Sequence, residues 1–227
     1  QSGTGTGAGS LGQVTLDNDG TIDLTASATA HGDDDYARAS VSSAVYQRAT
    51  GNNGANADTV LTNSGALTLS AGAIAGSADA TAAEASALIG NPGYGIKQYA
   101  VANGGGDASV ALNNTGVLTV ATVADAIGDN ASAHATIADA IFQSGGAYEG
   151  DVSIALTNSG TLSLSSAAKA VGDGTAEAYA YVQRGIVQAA DGMDGNALTF
   201  TNTASGKVDV GVKAEATADD AYAYAVV

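Results

Sequence analysis

Aspartates recur at one point of a long sequence period: Asp33, Asp34 and Asp35, then Asp79, Asp129 and Asp173, then Asp219 and Asp220. Carboxylates stacked along one edge could share Ca²⁺, which takes roughly six to eight oxygen ligands. The glycine-rich calcium-loop repeat is absent, and the turn-forming habit of Asp and Gly accounts for the same pattern without a metal. Calcium is the one cofactor these residues suggest. The two histidines, His31 and His134, fall at outward positions with no partner at metal spacing. There is no cysteine to serve as nucleophile or disulfide, and no GxSxG, phosphate loop or paired-histidine motif. Glycine strings at 3–9 and 103–106 lack the strand-to-helix context of a nucleotide site and read as loops. Arg38, Arg48, Lys97, Lys169, Arg184, Lys207 and Lys213 are scattered, whereas a polysaccharide lyase gathers bases or metal-bound carboxylates in a groove. The residues point away from an enzyme.

Aromatic residues offer contact chemistry instead. Tyr179 and Tyr181 alternate with alanine, as do Tyr222 and Tyr224, and both pairs are expected on the outer face at matching positions of successive repeats. Two short tyrosine rows would suit a sugar ring or another fibre, or would only stabilise neighbouring strands.

The most regular polar residues are amides. The phrases LDNDG, LTNSG, LNNTG, LTNSG and FTNTASG centre on Asn18, Asn63, Asn114, Asn158 and Asn202, at steps of 45, 51, 44 and 44 residues. Gln47, Gln98, Gln143 and Gln188 recur on the same period. One phrase copied at that interval marks a supersecondary unit repeated along a solenoid. Stacked units place identical residues about 4.8 Å apart, so the asparagines and glutamines predict two amide ladders that satisfy polar groups at a bend.

The elements that position these amides follow from period-two alternation. After each Asn phrase apolar and polar residues alternate, as in Leu67, Leu69, Ala71, Ala73 and Ala75. That is a strand with one buried face. The acidic turn follows, then a second alternating strand reaching the Gln, for example Ala133, Ala135, Ile137, Ile141 and Gln143. In the second repeat an insertion containing NPGYG at 91–95 displaces the Gln. A glycine-rich loop then returns the chain to a short strand before the next Asn. Alanines flank the acidic turn while larger residues lie near Asn and Gln, which predicts a wedge-shaped coil. The expected fold is all-β, a parallel β-solenoid (β-helix) of about five wide coils with a period of 44–51 residues. It forms one domain over 1–227, with repeats near 14–58, 59–108, 109–151, 152–197 and 198–227.

Composition agrees with a thin core of small side chains: 13% of residues are charged and 5% aromatic, against 45% apolar. The net charge of −16 repels polyanions, so nucleic acid is not an expected partner. No apolar run is long enough to span a membrane as a helix. The phrase LTNSGxLxL with its alternating tail resembles repeats of large secreted bacterial β-solenoids, such as autotransporter passengers and filamentous adhesins. The resemblance covers all five repeats and implies an extracellular or bacterial cell-surface location, with a role in adhesion or matrix. The long period and the paired alanine strands depart from those families. Gln1-Ser2-Gly3 repeats Gln143-Ser144-Gly145, and the last alternating run stops short of a ladder Gln. Residues 1–13 are therefore expected to complete a coil of another copy, giving head-to-tail filaments of a non-enzymatic structural or adhesive subunit. Surface glycans and other matrix fibres are further expected partners. The competing reading is a carbohydrate-binding or carbohydrate-active β-helix.

Overall fold

In the computed structural model, which describes residues 1–227, each alternating run is a strand and there is no helix. No helix is therefore long and apolar enough to cross a membrane. After β1 (Ser2–Thr6), the first coil holds β2 (Leu11–Asn18), β3 (Thr21–Ala30), β4 (Asp34–Val41) and β5 (Val45–Asn52). The second holds β6 (Asn56–Asn63), β7 (Ala66–Gly76), β8 (Ala82–Ile89) and β9 (Ile96–Ala102). The third holds β10 (Ala108–Asn114), β11 (Val117–Ile127) and the long β12 (Asn130–Ala147). The fourth repeats this with β13 (Asp151–Asn158), β14 (Thr161–Val171) and β15 (Thr175–Gly192). The fifth comprises β16 (Gly195–Asn202), β17 (Lys207–Thr217) and β18 (Asp220–Val226).

Equivalent strands stack into three sheets, β2-β6-β10-β13-β16, β3-β7-β11-β14-β17, and a third built from β1, β4, β5, β8, β9, β12, β15 and β18. Every pairing is parallel, and Asn18, Asn63, Asn114, Asn158 and Asn202 align in one register. The chain is a parallel β-solenoid of five coils. Parallel in-register stacking follows from the sequence period, because a slip of one residue would turn every buried side chain outward.

The cross-section is a lens and not the expected wedge. A cluster of 35 buried residues lies between the second sheet and the first half of the third and extends into a broad centre through Leu61 and Leu112 of the first sheet and Ile96 and Ile141 beyond the bend of the third. A separate cluster of nine, mostly alanine (Ala49, Ala57, Ala100, Ala102, Ala108), lies between the first sheet and the other half of the third. The coil thus narrows at both edges. Backbones approach closely at the second edge: a Cβ on Gly51 would lie 2.1 Å from the Ala55 carbonyl oxygen.

The glycine of the Asn phrase has a stacking reason. A Cβ on Gly116 would lie 2.1 Å from the Gly65 oxygen of the preceding coil, and one on Gly160 2.0 Å from the Gly116 oxygen. Gly116→Ala should therefore cost about 3 kcal/mol, because rigid backbone and not a flexible side chain stands in the way. Denaturant unfolding checks this; wild-type stability would show that the corner can widen.

Candidate functional site

The two amide ladders form, and they run in opposite directions. Asn18, Asn63, Asn114 and Asn158 each donate through Nδ2 to Oδ1 of the asparagine in the following coil at 2.7 Å. Each also donates to a backbone carbonyl of that coil, at Ala66, Val117, Thr161 and Lys207 respectively. The glutamines donate the other way: Gln188 to Gln143, Gln143 to Gln98, and Gln98 to Gln47, at 3.0, 2.9 and 2.9 Å. Gln47, Gln98 and Gln143 also donate across the core to Val60, Ala111 and Ala155 of the first sheet. All but Gln188 and Asn202 are buried, and the chemistry of these amides is spent on one another and on the backbone. They hold the wide middle of the lens, where an unpaired polar group would be most costly.

One buried hydroxyl is unpaired. Thr59 takes a place in the apolar row Val14, Thr59, Val110, Ile154, and its Oγ1 has no hydrogen-bond partner. Thr59→Val keeps the shape and removes the stranded hydroxyl, so it should raise stability by about 1 kcal/mol. A lower denaturation midpoint would contradict that.

The tyrosines meet on the outer face of the third sheet, shifted from the expected register. Glu177 lies opposite Tyr222, and Tyr179 opposite Tyr224, so the pairs are diagonal and do not form two rows. Tyr179 and Tyr222 have centroids 5.6 Å apart and Tyr181 and Tyr224 5.8 Å, while His134 of the preceding coil stacks on Tyr179 at 4.8 Å. Loss of water around them pushes the hydroxyls of Tyr179 and Tyr181 up, and the Glu177 carboxylate beside Tyr179 adds to this. The arrangement is an aromatic patch on coils four and five, with Tyr222 and Tyr224 exposed and Tyr179 and Tyr181 half-buried.

The turn aspartates do not converge: no three His, Asp or Glu side chains gather closely enough to hold a metal ion. Asp35 instead accepts from the Gly32 N–H at 2.6 Å and closes its own turn. His31 hydrogen-bonds the Gly76 carbonyl, and His134 the Ser132 hydroxyl.

The bend in the third sheet carries residues that no motif marked. Asp139, 4% exposed, accepts through Oδ2 from Arg184 Nη2 at 2.7 Å, the two being register partners in adjacent coils. Burial pushes the Asp139 carboxyl up, and Arg184 partly offsets this. Nearby, Lys97 Nζ sits 4.7 Å from the Tyr94 ring centroid and 5.8 Å from those of Tyr46 and Phe142. The protein's own lysine thus occupies a cation–π position among three rings. The molecule defined by these features is a ladder-stabilised parallel β-solenoid. Comparison with protein-family models, curated proteins and solved structures returned no match to the chain.

Proposed function

We propose that this chain is a non-enzymatic structural or adhesive subunit of an extracellular or cell-surface fibre, lengthened by stacking coil one of one copy on coil five of another. The complementarity of the two open coil faces carries the reading. On coil five, Leu198, Phe200, Val208 and Val210 are 45, 46, 36 and 44% exposed, although their row partners Ile154, Leu156, Leu162 and Leu164 in coil four are buried. The same rows in coil one hold Val14, Leu16, Ile22 and Leu24. Stacking therefore sets apolar against apolar in each row and pairs the open strand edges. The ladders match as well: Asn202 Nδ2 meets Asn18 Oδ1 of the next copy, and Gln1 of that copy donates to Gln188. A heterologous contact of this kind does not close on itself and generates filaments.

The surface placement draws on the resemblance to secreted bacterial solenoids and on a chain free of cysteine. Electron cryo-microscopy of the full chain at high concentration tests the assembly. Five coils at about 4.8 Å give an expected axial rise of about 24 Å per subunit. A strictly monomeric chain would overturn it. A second reading, carbohydrate binding, draws on the notch at the coil-two insertion, where hydrogen-bond donors and an acceptor stand together beside an aromatic ring.

A further inference from the structure

Each coil meets the same structural demands, so a departure confined to one coil is not required by the stack, and insertions in repeat proteins cluster on binding faces. The chain has such a departure at the bend of the third sheet. In coils three and four the strand runs on through Ala138–Ala140 and Gln183–Gly185, and coil one breaks only over Ser42–Ala44, whereas coil two inserts the longer Gly90–Gly95. The insertion lies over Asp139. Gly95 N–H donates to the Asp139 carbonyl at 2.8 Å, and a Cβ on Gly90, whose φ is 74°, would come within 2.5 Å of that oxygen. Gly90 must stay glycine for the loop to sit so close.

The Asp139 carboxylate is buried and incompletely satisfied. Oδ2 is paired with Arg184, but Oδ1 has no hydrogen-bond partner. A buried acceptor without a donor carries a standing cost that a donor from outside would remove. Beside it lies a notch of about 350 Å³ whose lining includes Asn91, Tyr94, Asp139, Gln183 and Arg184. The Arg184 side chain is 60% exposed and uses one nitrogen on Asp139, so its other N–H groups remain open to a ligand. The notch thus combines a carboxylate acceptor and a guanidinium donor with amides that both donate and accept. Hydroxyls, which donate and accept at once, satisfy such a mixture. An anion would face Asp139 and the chain's charge of −16, and a cation would face Arg184.

We propose that this notch binds one sugar residue of a neutral glycan, with one hydroxyl donating to the Asp139 carboxylate and its neighbours accepting from Arg184, Gln183 and Asn91 beside the Tyr94 ring. The proposal rests on the carbohydrate reading and is independent of stacking.

Amide NMR of the full chain, titrated with methyl glycosides of glucose, galactose, mannose and N-acetylglucosamine to about 10 mM, tests it. At least one glycoside should shift resonances confined to 89–95, 138–140 and 183–185. Asp139→Asn should weaken binding about tenfold, and Asn91→Ala or Gln183→Ala about threefold. Should Asp139→Asn fail to fold, the other two variants decide, since both sites lie at the notch surface. Unchanged affinity in the folded variants overturns the assignment. Shifts centred on Tyr179 and Tyr224 would overturn the notch but keep the carbohydrate reading, and no shift with any glycoside would overturn both.

Discussion

Asn114→Asp is expected to lose about 3–5 kcal/mol near neutral pH, and far less in mild acid. Asn114 is 1% exposed, accepts from Asn63, and donates to Asn158 Oδ1 and to the Thr161 carbonyl. The substitution replaces the donating nitrogen by an oxygen, so two acceptors come to face it without a hydrogen between them. Burial also disfavours the charge and raises the carboxyl's folded-state value above its unfolded value of about 4. Between those two values the folded chain holds a proton that the unfolded chain has released. Stability relative to the unsubstituted protein must therefore fall as pH rises through that window. Below it, the neutral acid donates one of the two lost bonds. Asn114→Ala, which cannot ionise, should cost about 3 kcal/mol at every pH. Urea unfolding of the three proteins between about pH 5 and 8 separates these cases. A variant whose profile parallels the parent would show that the ladder tolerates a charge.

The second large effect concerns assembly. Phe200→Glu with Val210→Glu should abolish filaments while leaving the monomer folded. Both side chains are nearly half exposed in the single chain, so charging them costs the monomer little, roughly 0.5–1 kcal/mol in total. Across a stacked joint the same carboxylates would be buried without partners, raising the concentration needed for growth by about a thousandfold or more. Val117→Glu is the control. That side chain is 45% exposed on the outer face of coil three and away from either coil face, so it should leave filament length unchanged. Equal filaments from the double variant, seen by electron microscopy, would refute the stacking. Each subunit carries −16, so growth should also quicken as ionic strength rises.

Much of this architecture is legible in the residues. The Asn phrase sets the period, and the alternation of Leu and Ala with Ser and Thr sets the strands and their buried faces. Both ladders follow once equivalent amides are stacked. Three features were not legible. Ala57, Ala102 and Ala108 sit beside glycine-rich loops and read as part of a return segment, so the second narrow edge of the lens stayed hidden. The tyrosines of coils four and five look alike as AYAY, but register is fixed by the alanine match of Ala176 with Ala221, which places Tyr222 opposite Glu177. Identity of side chains misled where spacing decides. Asp139 belongs to no motif, and Arg184 reads only as one of the scattered bases. Their pairing depends on register, and the backbone of Asp139 meets an insertion one coil away.

The opposed directions of the two ladders have an electrostatic consequence along the solenoid axis. In an α-helix the amide dipoles add head to tail and leave about half a charge at each tip. Here the asparagine row points one way and the glutamine row the other, and sheet backbones themselves carry only a small net dipole. The side-chain moments largely cancel coil by coil, so lengthening the stack builds up no charge separation between its tips. A solenoid made this way can hold more coils without either tip becoming a stronger pole.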